Sequence, residues 1–214
     1  MENLNSKYHS IEKDSRAELV IERSRFIAHS ISVGREDEAR QKIKAIQQLY
    51  PDATHYCYAW RVGLDPISEF ATDAGEPRGT AGRPILGAIR RRELTNVAVT
   101  IIRYFGGKKL GVRGLIDAYR QAAEQVLEIS GIIEREIKAR FMLQVNPIHF
   151  QAMVNQIISF CRGKQLVQID PDQYEIVFQV ALHRHQEALS LIELKQKEGA
   201  IVSFWESTGV SKGR

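Results

Sequence analysis

Residues Val97–Tyr119 read VAVTIIRYFGGKKLGVRGLIDAY. Val97, Ala98, Val99, Ile101 and Ile102 form a nearly continuous apolar run, the pattern of a strand covered on both faces. The run predicts a central strand, carried outward by Arg103, Tyr104 and Phe105. Gly106 and Gly107 break it, and from about Gly111 the residues Leu115, Ala118, Tyr119, Ala122, Ala123 and Val126 recur at helical spacing. The order is strand, glycine loop, helix. The first amides of a helix are positive, and Arg103, Lys108, Lys109 and Arg113 surround them with full charges. An anion site is expected here, built from Arg103, Gly106, Gly107, Lys108, Lys109 and Arg113, with Arg78 and Arg83 as further cations. Two nucleotide motifs are absent. Val112 and Arg113 follow Gly111 where a Walker loop needs Lys and then Ser or Thr, and no glycine triplet has dinucleotide-binding spacing.

Composition sets the frame. A chain of 214 residues, 43% hydrophobic and 26% charged, is an ordinary globular sequence with enough apolar content for a core. Its formal charge of +4 is unevenly placed. Between Arg78 and Arg120 there are ten Lys or Arg against only Glu93 and Asp117, and a local excess of this kind attracts phosphate-bearing partners. Arg90, Arg91 and Arg92 also fit a simpler role, as cations ending a helix at its negative pole. The two cysteines, Cys57 and Cys161, lack metal or redox spacing. No apolar stretch approaches a membrane span, and the start MENLNSKYHS lacks signal-peptide order. A cytoplasmic protein is expected, without cofactor, metal or membrane contact.

Read in order, residues 1–14 are polar and expected to be loosely held. Ala17 to Val33 predicts a hairpin broken near Glu22 to Ser24, and Glu36 to Tyr50 a helix ended by Pro51. Thr54 to Val62 predicts a strand with His55, Cys57 and Ala59 on one face. Residues 63–84, rich in Gly, Pro, Asp and Thr, are expected to be mostly loop, and Pro84 to open a helix to about Arg91. This is an α+β or α/β sandwich with helices packed on one sheet. Glu134 to Ala139 is charged and without apolar period. Beyond it, Phe141 to Val145 predicts a strand and Phe150 to Ile158 a helix. Leu166 to Ile169 and Tyr174 to Leu182 predict two strands, Ala188 to Ile192 a second helix, and Ile201 to Trp205 a last strand. That order is β-α-β-β-α-β, the ferredoxin-like arrangement. Two domains are expected, 1–137 and 138–214.

Several clusters invite chemistry. His55 and Cys57 share a strand face, and Asp73 and Glu76 lie in the following loop, so nucleophile, base and orienting acid are all present for a hydrolase. The commoner role for such a pair is a buried thiol beside a hydrogen-bonded histidine. His183 and His185 are two metal-capable ligands without a third, and read instead as a polar strand-to-helix edge. Tyr174, Phe178 and Phe204 have the spacing of a base-stacking platform and equally of a core face, which the domain needs. Asp73 and Glu76 beside Arg78 and Arg83 fit loop-pinning ion pairs as well as ligand contacts.

The motifs resemble those of the IMPACT family, which comprises uncharacterised bacterial proteins and eukaryotic translation regulators. The matching pieces are Arg103-Tyr104-Phe105-Gly106-Gly107, Leu110-Gly111, Gly114-Leu115 and Ala118-Tyr119, with Ser24-Arg25-Phe26, Asp52 to Cys57, Gly75-Glu76-Pro77 and Gly79 to Gly82 with Pro84. Ala74, Arg113 and Asp117 stand where the family usually has an acid, a glycine and often a base. The resemblance implies an N-terminal domain like domain IV of elongation factor G, and a small ferredoxin-like C-terminal domain as in bacterial members. It also implies a role in translation. Eukaryotic relatives bind a ribosome-associated activator of a starvation-responsive kinase, a partner system not expected in bacteria. Joined to the basic loop, this yields a non-enzymatic binder of RNA or the ribosome, possible partners including a translation-associated protein. The alternatives are a hydrolase acting on a phosphorylated substrate with His55, Cys57, Asp73 and Glu76, and a protein-interaction module. Oligomeric state is not legible.

Overall fold

The computed structural model describes residues 7–163 and 167–209. Two compact units divide the described residues between Arg135 and Glu136. In the first the elements are β1 (Lys7–Ile11), β2 (Ser15–Ile21), β3 (Ser24–Ser32), α1 (Glu36–Gln48), β4 (His55–Val62), β5 (Ser68–Thr72), α2 (Gly82–Arg91), β6 (Val97–Tyr104), α3 (Gly111–Ser130) and β7 (Ile132–Glu136). The main sheet has five strands in the order β2-β3-β6-β4-β5, every neighbour antiparallel. The apolar run makes β6 the central strand, and only its last residue, Tyr104, is not fully buried. α2 and α3 cover one face through Phe26, Ala28, Cys57, Val99 and Ile101. α1 covers part of the other through Ile31, Trp60, Val62 and Ala98. Burial on both faces is why the strand shows no alternation, although its neighbours are antiparallel. A fully buried Ile101, at 0% exposure, is worth about 1.5–3 kcal/mol.

Three features differ from the sequence reading. β5 occupies part of the expected loop at 63–84, held by β4 across the pair Trp60 and Phe70. α2 begins at Gly82, two residues before Pro84. From Lys7 onward the start of the chain is strand β1, paired with β7 in a two-stranded sheet that takes up part of the charged stretch after Ile132. Hydrogen bonding, with Thr95 donating to the His9 carbonyl at 2.9 Å, holds segments whose side chains carry little apolar signal.

The second unit runs β8 (Lys138–Val145), α4 (Phe150–Cys161), β9 (Val167–Asp170), β10 (Glu175–Ala181), α5 (His185–Lys197) and β11 (Ile201–Gly209). Its antiparallel sheet has the order β11-β8-β10-β9. α4 and α5 pack on one face against Phe141, Leu143, Ile176 and Phe178. Phe178 is fully buried and Phe204 packs against this core, which settles their place as core residues, while Tyr174 lies edge-on to Phe150. Leu166 lies outside the described residues.

Candidate functional site

Strand register decides which loops share an end of the main sheet. Arg25 lies opposite Tyr104, His55 opposite Arg103 and Tyr58 opposite Thr72. The β2–β3 turn at Glu22 and Arg23, the loop from Asp73 to Ala81 and the loop from Phe105 to Leu110 therefore leave the sheet at one end. Under them, the face covered by α2 and α3 changes character. Its row Ala28, Ile101, Cys57 is apolar, and the next row is Phe26, Arg103, His55. Alternation sends Arg103 inward with Val99 and Ile101, so a full charge enters the core.

A constructed polar cluster receives it. Arg103 is 4% exposed; its Nη1 donates to Glu76 Oε1 at 2.6 Å and its Nη2 to Ser24 Oγ at 3.1 Å. The Tyr119 hydroxyl donates to the same Glu76 oxygen at 2.8 Å. Arg103 also sits 5.4 Å from the Phe26 ring and 5.5 Å from that of Phe105. Three separate sequence motifs, around Ser24, Glu76 and Arg103, thus meet with Tyr119 in one network. Arg103, expected to offer its charge to a bound anion, here meets a buried carboxylate, Glu76, where it stands.

Asp73 is likewise committed. Burial pushes its carboxyl up, but the amides of Gly79, Ala81 and Gly82, donating at 2.7, 2.9 and 2.8 Å, and the charge of Arg83 hold it below its ordinary 3.8. Asp73 caps the start of α2. Its folded value is depressed, so its contribution to stability is present above the unfolded value and lost as pH falls.

The residues weighed for hydrolysis are neighbours in the fold. His55 Nδ1 lies 3.1 Å from the Ala74 carbonyl oxygen and Nε2 3.9 Å from Glu76 Oε1. Cys57 has 0% exposure; its thiol donates to the Asp73 carbonyl at 2.9 Å, with Tyr119 Oη 3.3 Å away. Burial pushes this thiol from 9.0 up to about 12, so it is not a thiolate at neutral pH. Native Cys57 should resist iodoacetamide at pH 7.5 and react at the ordinary rate in urea, as read by mass spectrometry. Rapid stoichiometric labelling of the folded chain at Cys57 would restore the nucleophile reading. The raised folded value also predicts that stability is complete below about pH 9 and falls as pH rises toward about 12.

The remaining cations are at the surface. Lys108 pairs with Glu22. Arg23, Arg78, Lys109 and Arg113 are exposed, and among the described residues no ion pair or hydrogen bond engages their side chains. Arg83 is exposed beside Asp73. A groove of about 380 Å³ runs past the glycine loop, lined by Glu22, Lys108, Lys109, Leu110, Gly114 and Asp117 among others. Leu110 supplies no side-chain cap to α3. Phe105 is 46% exposed, an aromatic ring among these charges. Arg90 and Arg91 instead pair with Glu69 and Glu124, and Arg92 donates to the Glu124 carbonyl. His183 lies in a short turn before α5, and His185 bonds Glu206 at 2.9 Å. Among the described residues no group of three His, Cys, Asp or Glu is placed to hold a metal, and no helix is long and apolar enough to cross a membrane. Arg23 is the exposed cation that sequence reading missed; its only signal is its place in the hairpin break.

All these loops fall within residues 22–127, which match the Impact N-terminal domain family. The chain is 40% identical over 130 residues to the IMPACT family member YvyE of Bacillus subtilis, a match spanning 61% of this chain and 60% of that protein. To YigZ of Escherichia coli it is 30% identical over 146 residues, 67% of this chain and 71% of that one. A crystal structure of a hypothetical protein superposes with a TM-score of 0.68 over 97% of this chain and 99% of that chain, at 24% identity, which speaks to the fold alone. With the Ser24, Glu76 and Arg103 motifs meeting in one network, the chain belongs to the IMPACT family.

Proposed function

We propose that this chain is a non-enzymatic RNA- or ribosome-binding protein that modulates translation, contacting phosphates with the loop end of its main sheet. The second unit is then a ferredoxin-like domain, a reading supported by its βαββαβ order and by the strand order β11-β8-β10-β9. The first is read as the counterpart of domain IV of elongation factor G. The cytoplasm is the compartment such a role requires. The observation that carries the reading is the division of labour among the cations. Arg103 is spent inside the fold, whereas Arg78, Lys109 and Arg113 stand exposed without carboxylate partners among the described residues. Exposed charges held on loops and on the first turn of α3 at one end of the sheet can follow a phosphate run, and Phe105 beside them offers a face for a base.

The test is binding of a fluorescent single-stranded oligoribonucleotide across a salt series. Each phosphate contact contributes a log–log slope of about −0.7, so Lys109→Glu with Arg113→Glu should flatten the slope by about 1.4 and weaken binding at least about a hundredfold at low salt. Neither residue is buried, so the melting temperature should stay within a few degrees. Wild-type affinity and slope in the double variant would sink the reading.

A further inference from the structure

We infer that the β2–β3 turn takes part in polyanion binding: Arg23, exposed beside the groove, contacts phosphate, and Glu22, which lines it, is a built-in competitor that occupies Lys108 until phosphate displaces it. The inference rests on the RNA-binding reading of this sheet end and adds to it a residue and a means of tuning.

The turn is unusual in what it tolerates. β2 ends at Ile21 and β3 begins at Ser24, leaving Glu22 and Arg23 as the two central residues, with φ of 46° and 68°. A two-residue hairpin with both φ values positive favours Asn-Gly or Asp-Gly; a long side chain there costs backbone energy at each position. Two long charged residues occupy the place, and both side chains are exposed. Neither packs in the core, so nothing about folding calls for them. Strain retained at an exposed turn points to a use for the side chains.

Their surroundings say what the use is. The Arg23 carbonyl group lies against Gly106, where a Cβ would come within 2.1 Å of it, so the turn is seated on the glycine loop. Ser24 Oγ accepts from Gly106 N at 3.2 Å and from Arg103 Nη2 at 3.1 Å, which fixes the turn to loop and core together. Glu22 pairs with Lys108 and lines the groove beside Lys109. The pair is open to water, with side-chain exposures of 63% for Lys108 and 51% for Glu22, so it is weak enough to exchange for a phosphate oxygen. A carboxylate in such a groove repels the incoming strand and cancels one cation, which limits affinity and flattens its dependence on salt. Arg23, by contrast, has no carboxylate partner among the described residues.

Three variants of the full chain test this with the same oligoribonucleotide. Arg23→Gly should flatten the salt slope by about 0.7 while the melting temperature stays level or rises, because glycine accepts the positive φ. A merely structural role for Arg23 would leave the slope alone. Glu22→Gln should tighten binding about threefold at low salt and steepen the slope by about one contact, as Lys108 becomes available. Adding Lys108→Gln should cancel that gain. The inference is overturned if Arg23→Gly keeps the wild-type slope, if Glu22→Gln leaves affinity unchanged, or if its gain survives the loss of Lys108. Should the Lys109, Arg113 double variant lose binding while the turn variants bind like wild type, the turn's role falls and the RNA reading stands. A wild-type chain that binds no RNA overturns both.

Discussion

Replacing Arg103 by alanine is expected to remove about 3–5 kcal/mol of stability, a large share of what a domain of this size has. The reason is the carboxylate left behind. Glu76 is 9% exposed and its Oε1 takes both the 2.6 Å bond from Arg103 and the 2.8 Å bond from Tyr119. Without the guanidinium, a buried charge keeps one neutral donor and loses its counterion. Glu76→Gln should cost nearly as much from the opposite side, since it strands the Arg103 charge beside Phe26 and Ser24. The two losses should not add. Arg103→Met combined with Glu76→Gln should be less destabilised than the sum of the single variants, because neither charge is then left alone. Urea unfolding followed by Trp60 fluorescence is the measurement. Trp60 is fully buried in the first unit, and Trp205→Phe removes the other indole. A loss under about 1 kcal/mol for Arg103→Ala would mean that the pair behaves like an exposed one, and the account of the cluster as a buried anchor would fail.

The consequences for function follow from position. The cluster lies under the loops whose surface charges are proposed to bind RNA, so Ser24, Glu76 and Arg103 act by holding loop backbones in place. The residues weighed for hydrolysis have partners in the same fold: Asp73 at the start of α2 and Glu76 at Arg103, while the Cys57 thiol is buried.

Much of this was legible beforehand, and the failures have physical causes. The strand, glycine loop and helix from Val97 to Ser130 follow the apolar pattern closely, because burial on both faces leaves no ambiguity of period. Parity also places Arg103 inward: Val97, Val99, Ile101 and Arg103 share a face, so an inward arginine needs an inward acid. What the sequence could not supply was that acid's identity, since Glu76 lies 27 positions away in a loop of irregular backbone. β5 was hidden because Ser68, Glu69 and Thr72 carry little apolar signal and the strand draws its order from pairing with β4. β1 and β7, five residues each, are too short to show a period of their own. The conformation of Glu22 and Arg23 was illegible because their residue types argue against it.

The glycine loop offers a second large effect, and the two adjacent glycines should respond very differently to alanine. At Gly106 a Cβ would stand 2.1 Å from the Arg23 carbonyl carbon and oxygen and 2.4 Å from Ser24 N. Those are backbone atoms of a two-residue turn that Ser24 ties to Arg103, so they cannot move aside without breaking the buried network. The cost should reach or exceed the upper end of the 1–3 kcal/mol seen when a packed interior is overfilled, about 3 kcal/mol or more. Gly107 meets nothing within 4 Å and differs only in its φ of 83°, so alanine there should cost about 1–2 kcal/mol, the penalty of a left-handed residue alone. RNA binding adds an independent readout. Gly106→Ala displaces the turn and with it Arg23 and Glu22, so its salt slope should flatten at temperatures where the variant remains folded. Gly107→Ala should bind with nearly the wild-type slope. Urea midpoints for the two variants decide the structural claim: equal losses, or a larger loss at Gly107, would mean that the turn is not seated on Gly106 and that loop and turn move independently.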